Sequence, residues 1–154
     1  MSASNSSRSA ARKVAVQALY QWQMTNQSPK IIADEFALHR ELHGADLSYF
    51  TRLVVEIPAQ VKELQVSIKP FLDRDWARLD IVERSVLLLG AFEIKHCFEV
   101  PFRVVISEAI EACKMFGTLE GHRYVNGVLD RMAHAHRSAE TADEELPPQA
   151  GMDG

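Results

Sequence analysis

The stretch Asp80-Ile-Val-Glu-Arg-Ser-Val-Leu-Leu-Leu-Gly-Ala-Phe-Glu-Ile-Lys95 constrains the fold more than any other part of the chain. Placed at about 100° per residue, its apolar side chains cover most of a helical circumference. Ile81, Leu88 and Phe92 fall on one side, Val82, Val86 and Leu89 on the next, and Leu87, Ala91 and Ile94 beyond them. A helix that is apolar nearly all round has to be surrounded by other elements. The remaining segments must therefore wrap it, and its polar exceptions, Glu83, Arg84 and Glu93, must each reach water or a partner.

The other segments read as the helices that do the wrapping. Ala11, Val14, Ala15, Ala18, Leu19 and Trp22 follow the spacing of an amphipathic helix. Ser28-Pro29 offers an N-cap followed by proline at the first helical position, for a second helix running to about His43. Asp46 caps a third segment, which Pro58 should kink or divide before it stops near Lys69-Pro70. Val100-Pro101 opens a helix that Gly117 ends, and Val125, Val128, Leu129 and Met132 mark the last one. Strand alternation of useful length is missing. The reading is one all-α domain of about six or seven helices over residues 8–137, with a disordered residue 1–7 segment before it and a disordered acidic tail over 138–154.

Charge is polarised along the chain. The formal net charge is −4, but five acids and no base lie from Ser138 onward, leaving 17 bases against 16 acids in the body. Residues 1–13 carry Arg8, Arg12 and Lys13 and no acid. This balance argues against an indiscriminate nucleic-acid binder while allowing a local basic patch. The two cysteines, Cys97 and Cys113, sit inside apolar helical patterns and lack metal-ligand spacing, which fits a reducing cytoplasm. No secretory signal opens the sequence, and no apolar run reaches the ~18 residues of a membrane span.

Two places combine bases with aromatics. On the first helix, Arg12, Lys13, Val16 and Tyr20 lie roughly 80° to 180° from the centre of the apolar stripe. They either pack against a second neighbour in the bundle or form a surface where bases hold phosphates and Tyr20 stacks an unpaired base. The turn Phe116-Gly-Thr-Leu-Glu-Gly-His-Arg-Tyr124 is the other place: Phe116 can close the core, while Tyr124 falls about 90° off its helix's apolar centre, at the rim. Gly127 inside the last helix suggests the close approach of another helix. Catalytic readings find no support. His134-Ala-His136 puts its imidazoles on different helix faces, and no phosphate-cradling, dinucleotide or nucleophile-elbow motif occurs, so neither enzyme, cofactor nor metal site is expected.

Four strings in register, Ala11–Trp22, Glu83–Ile94, Val100–Gly117 and Tyr124–Asp130, resemble the NusB family of bacterial transcription antitermination factors. The last, Tyr-Val-Asn-Gly-Val-Leu-Asp, is similar to the family's most recognisable motif. The resemblance implies an all-α fold of two packed helical subdomains. It also implies binding to boxA RNA together with the ribosomal protein NusE, inside an RNA polymerase antitermination complex serving ribosomal RNA operons. It places the RNA surface at Arg8, Arg12, Lys13, Tyr20, Phe116, Glu120 and Tyr124, and the contact with NusE at Glu83. It further implies a weak homodimer through the RNA side. One departure stands out: Ser9 and Ala10 follow Arg8 where the family often carries a denser arginine cluster. A related helical domain also precedes certain RNA cytosine methyltransferases, so the fold alone does not give the function.

Overall fold

The computed structural model describes residues 2–39, 42, 44–117 and 119–145; among them are eight α-helices and no strand. The helices are α1 (Ser2–Thr25), α2 (Pro29–His39), α3 (Leu47–Ala59), α4 (Val61–Ile68), α5 (Ile81–His96), α6 (Phe102–Phe116), α7 (Leu119–His136) and α8 (Ser138–Glu145). Short 3-10 turns at Lys69–Phe71 and Trp76–Arg78 join α4 to α5.

The apolar rod is α5, and it lies where its composition requires. Asp80 Oδ1 accepts the Glu83 N–H at 2.8 Å and the Glu83 carboxylate accepts the Asp80 N–H at 3.2 Å, a reciprocal cap that starts the helix. Every residue from Ser85 to Ile94 is buried. Helices α1, α3 and α4 pack against α5 from one half of the fold and α6 and α7 from the other, while α1, α2 and α3 also pack on one another. Two helical subdomains thus share α5 as their common core. Gly90 matters here: a Cβ on it would lie 2.7 Å from Leu129 Cδ1, so its bare backbone lets α7 close onto α5. Gly127 plays no such part. A Cβ there would meet only Arg131 Nη1 of the same helix, at 3.3 Å, so the expected helix approach occurs at Gly90 instead.

The third segment divides as Pro58 requires, since a proline supplies no N–H to continue the helical ladder. The break falls at Gln60, where φ −113° and ψ 19° leave the helical region before α4 resumes. Asp46 caps α3 by accepting the Tyr49 N–H at 3.0 Å.

Both ends of the described chain depart from expectation. Residues 2–7, a segment expected to be disordered, belong to α1. Ser7 O accepts the Asp46 N–H at 3.0 Å, and Arg8 stacks on Tyr49, so the start of α1 is docked on the start of α3. Residues 138–145 form α8, in a segment expected to be disordered; residues 146–154 lie outside the described residues. The cause is Arg137, only 5% exposed, at the α7–α8 corner. Its guanidinium donates to the carbonyls of Glu93, Ile94, Cys97 and Val100, the backbone acceptors at the end of α5 and in the loop after it. Glu140 accepts from Arg137 at 3.1 Å and from the Phe102 N–H at 2.8 Å, so one side chain of α8 also caps the start of α6. Thr141, buried, donates to Arg137 O at 3.2 Å.

The Arg137→Leu variant removes a donor from four carbonyls; those of Glu93 and Cys97 keep the Cys97 and Val100 N–H groups, whereas those of Ile94 and Val100 are left unpaired, and each buried unpaired carbonyl costs about 1–3 kcal/mol. Partial rehydration of the loop offsets some of this, and a loss of about 2–4 kcal/mol in urea unfolding is expected. Arg137→Lys should recover little of it, because a single ammonium cannot reproduce the planar fork.

Candidate nucleic-acid interface

The sequence placed Arg12, Lys13, Val16 and Tyr20 together, away from the core. The structure separates them. α1 is held between α3 on one side and α5 and α6 on the other, so it buries two faces. Val16 is buried, and Arg12 is only 5% exposed. Arg12 is therefore not a surface cation, which corrects its assignment to a phosphate-binding face. Its Nε donates to Glu93 Oε2 at 2.8 Å, and its Nη1 lies 3.8 Å from Glu108 Oε1. The Tyr49 hydroxyl donates to the same Glu93 oxygen. Burial alone would lower the Arg12 pKa, but the Glu93 carboxylate outweighs it and holds the guanidinium above its ordinary value. Burial, and then the Glu93 charge, push the Tyr49 phenol far above its usual range, so it keeps its proton and can donate it to Glu93.

The outward stripe of α1 consists of Ser9, Lys13, Gln17, Tyr20 and Met24, spaced so that they follow one side of the helix. Lys13 Nζ donates to Ser9 Oγ at 3.0 Å. Arg8, part-exposed, lies over the Tyr49 ring at 4.2 Å and 3.4 Å from Glu99. Tyr20 is 42% exposed and is the aromatic that this surface offers. From Arg8 to Tyr20 is about 18 Å along the helix, twelve residues at 1.5 Å each.

Tyr20 and Phe116 do come together. Both line an open groove of about 610 Å³, with Gln17, Gln21, Met24 and Thr25 of α1, Phe36 of α2 and Val82 of α5. Phe116 is half-buried: one part closes the core and the other faces the groove. The chain leaves α6 here through Gly117, where a Cβ would lie 3.2 Å from both Val82 Cγ1 and Cys113 O. The glycine thus allows the end of α6 to sit directly on the start of α5.

The remaining expected residues lie elsewhere. Glu120 is exposed in the first turn of α7. Tyr124 is half-buried, with its hydroxyl accepting the Asp73 N–H at 3.3 Å and the Arg74 guanidinium 4.2 Å from its ring centroid. Arg74 in turn grips Asp73 at 2.8 Å and holds that carboxylate below its usual pKa. One face of Tyr124 is thus covered by a cation. Glu83 is in the first turn of α5, engaged in its capping box. Tyr49 and Glu93 are the residues that sequence reasoning missed as a unit. The demand that Glu93 find a partner was visible; which residue supplied it was not.

Among the described residues, no group of three or more His, Cys, Asp or Glu could hold a metal ion, and no helix is long and apolar enough to cross a membrane. Cys97 and Cys113 are both buried, and burial raises the thiol pKa of each, that of Cys113 to about 12.

The NusB family model matches residues 9–134. The chain is 44% identical over 142 residues to the transcription antitermination protein NusB of Hahella chejuensis, covering 92% of this chain and 95% of that one. It belongs to the NusB family. The transcription antitermination protein NusB of Chromohalobacter salexigens is 44% identical over 149 residues, covering 88% of this chain and 90% of the relative. That of Xanthomonas axonopodis pv. citri is 46% identical over 135 residues, covering 87% and 84%. The match to the family model spans α1 from Ser9 through nearly all of α7, and so includes the groove and the Arg12–Glu93 pair. It stops short of Arg137 and α8.

The two arginines at the start of this NusB-family chain should behave differently. Removing one partner of a buried ion pair strands the other charge, so Arg12→Ala is expected to cost about 3–5 kcal/mol in denaturant unfolding. Arg8→Ala, which opens only an exposed pair, should cost less than about 1 kcal/mol. Equal effects of the two substitutions would contradict the structural role given to Arg12.

Proposed function

We propose that this chain is a cytoplasmic, non-catalytic antitermination factor that binds boxA RNA in nascent transcripts jointly with the ribosomal protein NusE, and so promotes transcription of ribosomal RNA operons by RNA polymerase. The observation that carries this reading is the side of α1 on which Lys13, Gln17 and Tyr20 lead into the groove that Tyr20 shares with Phe116. Single-stranded RNA is held by cations along its backbone and by aromatic faces under its bases, and this surface supplies both in line. The relatives' name, transcription antitermination protein NusB, supports the same reading.

In this proposal Arg8 and Lys13 meet phosphates, Tyr20 and Phe116 take a base in the groove, and Glu120 and Tyr124, on α7 outside the groove, add separate contacts. Arg12 contributes by holding α1 in place and not by touching RNA. Glu83 serves NusE from the first turn of α5, where its capping box fixes the carboxylate on a rigid helix end. No cofactor takes part. Exposed Met24 beside Tyr20 gives the same groove an apolar edge that suits a second copy of the chain, so a weak homodimer would compete with RNA for this face.

Fluorescence anisotropy of a boxA-containing RNA, titrated with the chain alone and with NusE present, tests the reading. Weak binding alone and tighter binding with the partner are expected. Loss of one aromatic–base stack removes about 1–3 kcal/mol, so Tyr20→Ala should weaken binding by roughly 5- to 150-fold without unfolding the protein. Equal, unmeasurable binding with and without NusE would overturn it.

A further inference from the structure

The basic start of α1 is not an open cationic surface. Arg8 lies between the Tyr49 ring, at 4.2 Å, and the Glu99 carboxylate, at 3.4 Å. Arg12 is consumed by Glu93. Lys13 Nζ rests on Ser9 Oγ at 3.0 Å, and Ser9 in turn donates to Glu108 Oε1 at 2.8 Å. Each of the three cations in residues 1–13 therefore has an internal partner. Ser9, which stands where the family often carries a denser arginine cluster, belongs to this arrangement as the bridge between Lys13 and Glu108.

Glu99 is not on a loop free to swing aside. Arg137 donates to Cys97 O and Val100 O, the carbonyls on either side of the Phe98-Glu99 turn, so a buried side chain fixes the backbone that carries Glu99. The Arg8–Glu99 pair itself is open to solvent, with side-chain exposures of 31% and 54%, so an incoming phosphate can reach it.

We propose that Glu99 is an electrostatic mask on Arg8: it occupies the guanidinium in the free protein and competes with RNA phosphate for it. The proposal rests on the RNA-binding reading above. A phosphate that pairs with Arg8 must displace Glu99, and the released carboxylate then stands close to the phosphate that displaced it. A phosphate oxygen pair can engage the guanidinium bidentately, so a well-placed strand still wins the exchange. Exposed ion pairs are weak, which makes the mask a tuning device and sets the scale of its effect at no more than about fivefold in affinity. The mask lowers the lone chain's hold on any polyanion by that small factor, whatever its sequence.

A double-mutant cycle on the full chain tests this, using anisotropy with single-stranded boxA-containing RNA and with NusE present to bring affinity into range. Glu99→Gln should tighten binding about two- to fivefold and steepen the dependence of log affinity on log salt by roughly 0.7, the value of one added phosphate contact on a single strand. In an Arg8→Ala background the same Glu99→Gln change should give no gain. An equal gain in both backgrounds would mean general repulsion between Glu99 and RNA, and would overturn the mask. No gain in either background, while wild type binds, would overturn it as well. Absence of RNA binding by every variant, wild type included, would instead remove the RNA-binding reading on which it rests.

Discussion

Placing a carboxylate where no solvent reaches it is among the costliest things a small helical domain can do, and Glu93 is fully buried at the centre of this one. Its Oε1 finds no hydrogen-bond partner among the described residues, so the whole charge depends on two donors to Oε2, Arg12 and Tyr49. Those donors come from α1 and α3, while Glu93 is on α5. Hydrophobic contact alone would tolerate some rotation of α1 about its axis, because small alanines line much of its buried side. A hydrogen-bonded ion pair does not. With Arg12 locked inward, Lys13, one residue and about 100° further round, must face out, and Gln17 and Tyr20 follow it along the same side. The candidate RNA surface is thus set by a buried charge that never touches it.

The same economy appears at both ends of α5. Lys95 in the last turn of α5 is turned to Ser67, and the carbonyls at that end are satisfied from elsewhere in the chain. At the start, Asp80 and Glu83 cap each other. At the end, Arg137 arrives from α7 with its fork of donors, and the negative end of the helix dipole favours a fixed cation there. Glu140 then balances Arg137 while capping α6. Two charged side chains from the last stretch of the described chain hold together two helices that form its core. The fold is closed by polar groups after it has been built by apolar ones.

This division explains what the amino-acid sequence made legible. Periodicity and caps located α5, α6, α7 and a division of the third segment near Pro58, because those signals are local: apolar spacing, Asp46, Pro58, Pro101. The buried positions of α1 were only half legible. Its stripe of alanines and Leu19 was plain, but Val16 and Arg12 lie on a second buried face that depends on α6, which follows some ninety residues later. An arginine reads as solvent-facing in any local window, and nothing near Arg12 or Arg137 announces a buried carboxylate or a cluster of carbonyls. Helix α8 was hidden for the same reason: an acidic segment with few apolar residues looks unstructured until Arg137 gives Glu140 something to hold. Tyr20, by contrast, was legible as an aromatic off the core and Phe116 as one able to close it, and the groove brings those two together. Tyr124 was placed at a rim and is found there, but under Arg74.

The electrostatics of the α1 face bear on why RNA recognition here would be shared. Affinity for a phosphate backbone grows with the number of cations free to displace counterions, and each single-strand contact is worth about 0.7 in salt slope. Of the three cations at the start of this chain, one is buried in the core and two hold internal partners, within a body whose charges nearly cancel. What remains strong is shape: an aromatic pair at a groove whose walls are rigid helices. Such a surface discriminates well and attracts poorly, because stacking acts only at contact while charge acts over a Debye length of about 10 Å. A factor built this way would need another component to supply the long-range attraction. A partner docked near Glu83, against the start of the helix whose Val82 lines the groove, would be placed to supply it if it carried positive charge.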